Sequence, residues 1–427
     1  MIKNNFLRLL FIFIFFQLSL VGQNVSLTKE RVERLTSSEF HGRGYVKNGV
    51  NITANYIKYE LESIGVKSFD KSFFQTFTTD VNTFPSTVEV KLGNGKLIPG
   101  VDYVLGPSMP TVKGKYELFV LDSVLLNNAD VFAEMIYGKD LSKKMLVIDH
   151  KLINDERSRS FYLMQIYTNF LNFAGNVELI SSELLASVSH FQQEYPSIKI
   201  KREVFSNKEE EIFINIKSKF IKNFETKNVI GYIEGYNNNE FIVFSAHYDH
   251  IGRIGREVYI PGAQDNASGT AFLLDLAGYY SRNKPKYSVM FIFFGGEELG
   301  LLGSKYYVTN PLFDLSKIKL VINLDMVGTG DEGITIVNGK NHDYRKEWEL
   351  FEKINKENNF FSIFNARGES DNSDHSSFHR KGIPAIFIYT MGGNTFYHNV
   401  KDRAETLTFT GYNQLFELLI KFISVYE

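Results

Sequence analysis

Apolar and polar residues recur along this chain with two periods, and the switches between them divide it. From 28 to 66 the spacing is helical. Ile52, Tyr56, Ile57, Leu61 and Ile64 fall on one face, the run stops at Gly65, and the turn Phe40-His-Gly-Arg-Gly44 separates two helices. From 86 to 225 short β-like runs take over: Glu117–Leu121, Met145–Asp149, Ile198–Val204 and Ile212–Ile216. The last two alternate apolar with polar, as half-exposed strands do. From 228 onward strands and helices take turns. Asn228–Glu234 and Phe241–Ser245 read as strands and Ala267–Tyr280 as a helix. Tyr287–Phe294 is almost continuously apolar, which predicts a strand buried on both faces. Ile318–Leu324 and Ala385–Tyr389 are two further strands, and Thr410–Val425 a closing helix. This order predicts a three-layer αβα domain with a mostly parallel central sheet, plus an inserted, mostly-β module. The expected division gives 24–85 and 226–427 to the α/β domain and 86–225 to the insert.

Composition narrows the function classes. A chain of 427 residues suits two domains better than one. A net charge of −2 without a long basic run predicts no nucleic-acid partner. The absence of cysteine excludes disulfides, thiolate metal sites and a lipid-modified N-terminal cysteine. At the N-terminus, Lys3 and Arg8 precede the apolar run Leu9–Phe16, and small residues follow near Gly22. The run is short for a membrane span, so 1–23 reads as a signal peptide, with an uncleaved anchor as the alternative. The mature chain is therefore expected to be exported, periplasmic or secreted, without stable membrane insertion. Its oligomeric state is left open.

Five motifs carry candidate chemistry, each at a predicted strand end or helix start, where an α/β sheet collects functional groups. They are His247-Tyr248-Asp249, Asp265-Asn266, Glu297-Glu298, Asp325 and His398. His247 is a candidate ligand oriented by Asp249, although a strand-end His–Asp pair also serves stability. Asp265, in the small-residue turn Gly262–Gly269, has two oxygens with which to bridge cations; capping of the following helix is the plainer use. Of Glu297 and Glu298, one suits a metal and the other a proton transfer, against simple stabilisation of a helix N-terminus. Asp325 ends a buried strand, where an unpaired acid is costly. His398 alone says little. Together the set supplies one bridge, one histidine per metal and one further carboxylate per metal, with a glutamate left over as base. Histidine and carboxylate without cysteine suit zinc or a similar divalent ion used for chemistry. No H-E-x-x-H, G-x-S-x-G or phosphate loop competes. His375 and His379, near Ser373-Asp374, are candidate substrate-pocket residues, with a surface position as the alternative.

The order of these motifs, with Gly296-Glu-Glu-x-Gly-Leu-Leu-Gly-Ser304 and Asn323-Leu-Asp-Met-Val-Gly328, resembles the di-zinc aminopeptidases: metallopeptidase family 28, including the aminopeptidase Y and bacterial secreted types. The likeness covers 228–427 and, more loosely, 28–85. The insert resembles a protease-associated domain in position and β texture. The resemblance implies two zinc ions, His247, Asp265 and Asp325 holding one and Asp265, Glu298 and His398 the other. Asp249 would orient His247. Glu297 would be general base toward a metal-bridging water, and the substrates would be peptides cut at the amino end. Gln264 departs from the family, which often has a second Asp there; the position is not a ligand, so metal binding is expected to survive. The loop Met391–Phe396 is also atypical, which bears on specificity. Arg367 and Arg380 would matter for a carboxypeptidase. A single-zinc glutaminyl cyclase and a metal-free binding protein of the same fold are the remaining alternatives.

Overall fold

The computed structural model describes residues 25–69 and 71–427. The expected signal peptide lies outside the described residues. Among the described residues no helix is long and apolar enough to cross a membrane.

The first of two eight-stranded sheets has four parallel strands at its centre, in the order Tyr287–Phe294, Asn237–His247, Ile318–Leu324, Ala385–Met391. Every residue of Tyr287–Phe294 is buried, as its unbroken apolar run requires. Successive side chains go to opposite faces. Phe291 and Phe293 join one core with helices Val25–Leu35, Gly49–Ile64, Ser268–Arg282, Arg345–Asn358 and Tyr412–Val425. Met290, Ile292 and Phe294 join another under the short helices Leu302–Thr309 and His375–His379. Three layers result.

Four of the seven neighbouring pairs in this sheet are parallel, as expected, and the antiparallel pairs lie toward its two edges. Lys219–Ile233 pairs antiparallel with Tyr287–Phe294, and Phe74–Thr83 antiparallel with Lys219–Ile233. At the far edge Gly333–Val337 runs antiparallel to Ala385–Met391 and carries Phe364–Ala366. The apolar period that marks a strand does not carry its direction, and only Gly333–Val337 and Phe364–Ala366 are short.

The strands of the second sheet lie between Val88 and Ile216, in the order Gly95–Lys96, Val88–Leu92, Glu211–Ile216, Val112–Val120, Lys144–Asp149, Gly175–Ile180, Ser197–Lys201, Tyr103–Leu105. Helices Ala129–Ile136 and Glu156–Thr168 cover one face, a layer the sequence pattern did not suggest. Glu156–Thr168 buries Ser158, Tyr162, Gln165 and Ile166, while Leu163, Met164 and Tyr167 stay exposed, so its apolar period is blurred. Ile251, Ile254 and Ile260, on and beside the hairpin Gly252–Ile254/Val258–Ile260, fill the core on the other face. That hairpin follows His247 and Asp249 directly, so the second sheet is packed against the loop that carries them.

Candidate metal centre

Three of the four parallel central strands end in the motifs. Asn237–His247 delivers His247 and Asp249, Tyr287–Phe294 leads to Glu297 and Glu298, and Ile318–Leu324 to Asp325. Asp265 stands at the entry to helix Ser268–Arg282, and His398 on the loop after Ala385–Met391. The structure brings all of these side chains to one place.

Asp265 sits at the middle. Its Oδ1 is 3.0 Å from His247 Nε2, and its Oδ2 is 2.9 Å from His398 Nε2. Asp325 Oδ1 lies 3.3 Å from His247 Nε2, and Glu298 Oε2 3.1 Å from His398 Nε2. Two groups able to hold a cation therefore share one carboxylate: His247, Asp265 and Asp325 on one side, and His398, His250, Asp265 and Glu298 on the other; His247, Glu297 and Glu298 make a third. Donor atoms that share a tetrahedral zinc at about 2.0–2.1 Å stand about 3.3 Å apart, close to these spacings.

The backbone fixes which ring nitrogen faces inward. His247 Nδ1 is 3.1 Å from the Asp249 carbonyl, and His398 Nδ1 is 3.0 Å from the Ala186 carbonyl. A carbonyl only accepts, so in the neutral ring the proton sits on Nδ1 and the Nε2 lone pair points into the site. His398 Nε2 and Asp325 Oδ1 are buried and face other members of the cluster. The other oxygen of Asp325 is held by the Ser373 hydroxyl at 2.8 Å. One oxygen anchored and one turned into the cluster is the arrangement a cation needs.

Charge makes the same point. Asp249, Asp265, Asp325 and Asp374 are buried, and Glu297 and Glu298 only partly exposed. Burying a carboxylate costs several kcal/mol even after relaxation. Burial pushes Asp265 up, but contacts with His247 and His398 outweigh it and hold the carboxyl well below its usual range. Burial lowers His398, yet Glu298 and Asp265 raise it to about 11. Removal from water pushes Glu297 well above the usual carboxylate range, opposed by His247 and reinforced by Glu298, Asp374 and Asp325. The donor chemistry and the excess of negative charge both fit divalent cations.

Asp249 acts differently from the expected His–Asp pair. Its carboxylate is 3.9 Å from His247 Nδ1 and makes no hydrogen bond to the ring. It accepts instead from the Glu297 and Glu298 amides at 3.1 and 3.4 Å, and from the Tyr45 hydroxyl at 3.4 Å. The H-x-D spacing orients His247 through the carbonyl of Asp249, and the acid shapes the Glu297–Glu298 turn.

Four further residues had no role in the sequence reading. His250, fully buried, places Nδ1 2.7 Å from Glu298 Oε1, so the second oxygen of Glu298 is left to face His398. Asp402 accepts the Gln264 amide at 2.9 Å and the Asp265 amide at 3.2 Å. Asn266 accepts the Met326 amide at 3.2 Å and donates to the Leu324 carbonyl at 3.0 Å, tying the Asp265 loop to the Asp325 loop. Arg43 is completely buried and donates to the carbonyls of Tyr248, Leu35, Pro261, Gly262 and Asp265. Burial pushes its guanidinium down to about 10, still charged at neutral pH. The flanking glycines were the available signal. A Cβ on Gly42 would meet Ile260 O at 2.5 Å, and one on Gly44 would meet Gly252 Cα at 2.4 Å. Gln264 donates to the Met326 carbonyl and accepts from Gly328, a scaffold role away from the donor set.

His375 is buried against the Phe387 ring, and His379 Nδ1 is 2.5 Å from the Tyr344 hydroxyl; neither has a donor atom in the metal cluster. Arg367 is exposed, and Arg380 pairs with Asp371 on the surface.

Residues 228–423 match the model of peptidase family M28. This segment belongs to peptidase family M28. Aminopeptidase YwaD of Bacillus subtilis is 32% identical over 223 residues, covering 50% of this chain and 47% of the relative. The chain thus spans about half the length of that curated relative. Among solved structures, a peptidase M28 precursor from Shewanella amazonensis superposes with a TM-score of 0.72 at 18% identity, over 94% of this chain and 93% of its own. A zinc aminopeptidase from Bacillus subtilis gives 0.69 at 20% identity, over 95% and 94%. At such identities the likeness shows the fold, and it spans both sheets as well as the M28 segment.

Two outcomes follow from the supports of the M28 site. Arg43→Met leaves five buried carbonyls short of a donor and should lower stability by about 3–5 kcal/mol, read from urea unfolding; an unchanged midpoint would refute the clamp. Asp249→Ala should weaken zinc affinity or activity about 10–100-fold with the circular dichroism spectrum preserved. Wild-type zinc binding and turnover together would deny Asp249 any part in the site.

Proposed function

We propose that the protein is a zinc-dependent exopeptidase that removes N-terminal residues from peptides. The observation that supports it most is the shared carboxylate of Asp265, each oxygen facing its own imidazole, with Asp325 and Glu298 completing the two sides. On this reading two zinc ions are held by His247, Asp265 and Asp325 and by Asp265, Glu298 and His398. Bound there, they supply Lewis acidity to the scissile carbonyl and make water acidic enough to deprotonate near neutral pH.

The chain's own groups do the rest. Glu297 is not needed as a ligand and stands beside the donor set, in a site that removes it from water. Such a carboxylate takes a proton readily and is suited to receive one from the attacking water and return it to the departing amine. Asp249 holds the turn that aims it. A free substrate ammonium would find Asp374, buried near the charges of Asp249 and Asp325, as a compensating acid. The exposed Arg367 and the ion-paired Arg380 offer no basic pocket for a terminal carboxylate, which disfavours a carboxypeptidase. The paired donor sets disfavour a single-zinc cyclase and a metal-free binding protein. The chain similarity to relatives named aminopeptidase points the same way. We further propose that residues 86–225 form a module inserted between 24–85 and 226–427 and shape access to the site. The N-terminal segment 1–23 would direct export to the periplasm or beyond.

Glu297→Gln should retain its zinc and lose about 10²–10⁴ in kcat; near-normal turnover of the purified variant would remove Glu297 from the chemistry. A matched pair of peptides tests the direction of attack. The N-acetylated one should resist cleavage and the C-amidated one should be cut, both reactions stopping with chelator. The reverse preference would make the protein a carboxypeptidase.

A further inference from the structure

A cavity of about 380 Å³ opens beside the metal centre between the second sheet and the Glu297–Glu298 turn. Its apolar wall is formed by Leu163, Ile166, Tyr167, Val188 and Phe191 of the second unit, and by Leu299; Glu298 borders it on the metal side. The size falls within the range of about 300–1,000 Å³ usual for ligand pockets.

Three observations make this wall a built surface. Its segment is continuous with the metal centre: Ala186 presents its carbonyl to His398 Nδ1, its amide donates to the His398 carbonyl, and Val188 follows two residues later. Its backbone is pinned. The Asn82 amide donates to the Ser189 carbonyl, the Phe191 amide to the Ser189 hydroxyl, and the Ser108 hydroxyl to Gln193, whose side chain donates in turn to Tyr195. And the wall leaves apolar surface in water, with Phe191 of the fixed segment 52% exposed and Tyr167 and Leu163 of the neighbouring helix Glu156–Thr168 72% and 39%. Aromatic side chains held at the mouth of a pocket that a metal ligand borders invite an apolar occupant.

The position of the acids sets which part of a substrate reaches it. Asp374 is buried and directly follows Ser373, whose hydroxyl holds Asp325 at 2.8 Å, so this acid lies on the side of Asp325. A substrate ammonium belongs there. The cavity lies on the side of Glu298, so the chain beyond the scissile bond runs toward it. Resting on the exopeptidase reading, we propose that this cavity is the subsite for an apolar side chain on the leaving-group side of the scissile bond. Specificity for that residue would then be carried by 86–225, while the chemistry is carried by the M28 domain.

The test uses the full-length zinc-loaded protein and two tripeptides alike except in the middle residue, leucyl-phenylalanyl-glycine and leucyl-glycyl-glycine. The wild type should favour the first in kcat/KM by at least about tenfold, the scale on which apolar pockets discriminate. Phe191→Ala and Tyr167→Ala change exposed side chains and should fold normally, checked by melting temperature. Each should cut the preference by at least about threefold, with the change in KM rather than kcat, and Phe191→Leu should restore most of it. A wild type that cleaves both tripeptides without preference, or a preference that survives both alanine variants, overturns the subsite and leaves the peptidase reading standing. A wild type that cleaves neither tripeptide nor any other unblocked peptide overturns the peptidase reading, and the subsite with it.

Discussion

Six carboxylates crowd into a site that little water reaches, and the surrounding structure is arranged around that concentration of negative charge. Parallel strands bring it about, because their carboxyl ends converge and each can present an acid or an imidazole to the same point. The protein answers the repulsion partly with His247 and His398, partly with the contact of His250 on Glu298, and partly with the buried cation of Arg43. The remaining imbalance is what suits the site to divalent ions. Without them His247 and His398 are drawn into ion pairs with the acids; with them, on the proposed reading, the same nitrogens and oxygens would become ligands.

The cluster of histidines and acids was readable in the sequence because its chemistry is particular to residue type. Histidine and carboxylate at successive strand ends have few other reasons to recur, and the all-apolar run Tyr287–Phe294 located the central strand. The supports were not readable, since they act through the main chain. Arg43 binds carbonyls, Asp402 binds amides, and Ala186 offers His398 a carbonyl that any residue could offer. Asp249 shows the limit most clearly. The motif spacing identified it as a partner of His247, yet its carboxylate serves the adjacent glutamate turn. Outer strands such as Gly333–Val337 and the helix Glu156–Thr168 escaped because they lack a clean period. In the helix, apolar residues on the exposed side cover the signal of the buried one.

The second unit is tied to the first at the most sensitive place. The hairpin that follows His250 lends its isoleucines to the core of the second sheet, and the segment around Ala186 lies along the ring of His398. The His398 ring is thus steadied by a polypeptide segment more than 200 positions away. A glutamate–lysine contact between Glu183 and Lys401 reinforces the same crossing at 3.3 Å.

The three isoleucines have a consequence for the molecule as a material object. They belong by sequence to the metal loop and by packing to the neighbouring core, so neither unit can open without exposing apolar surface on the other. A chain trimmed of residues 86–225 would carry a greasy scar next to its own histidine–carboxylate cluster and would tend to stick to itself. The two sheets are in this sense a single cooperative body, and a heat-induced transition should carry both away together.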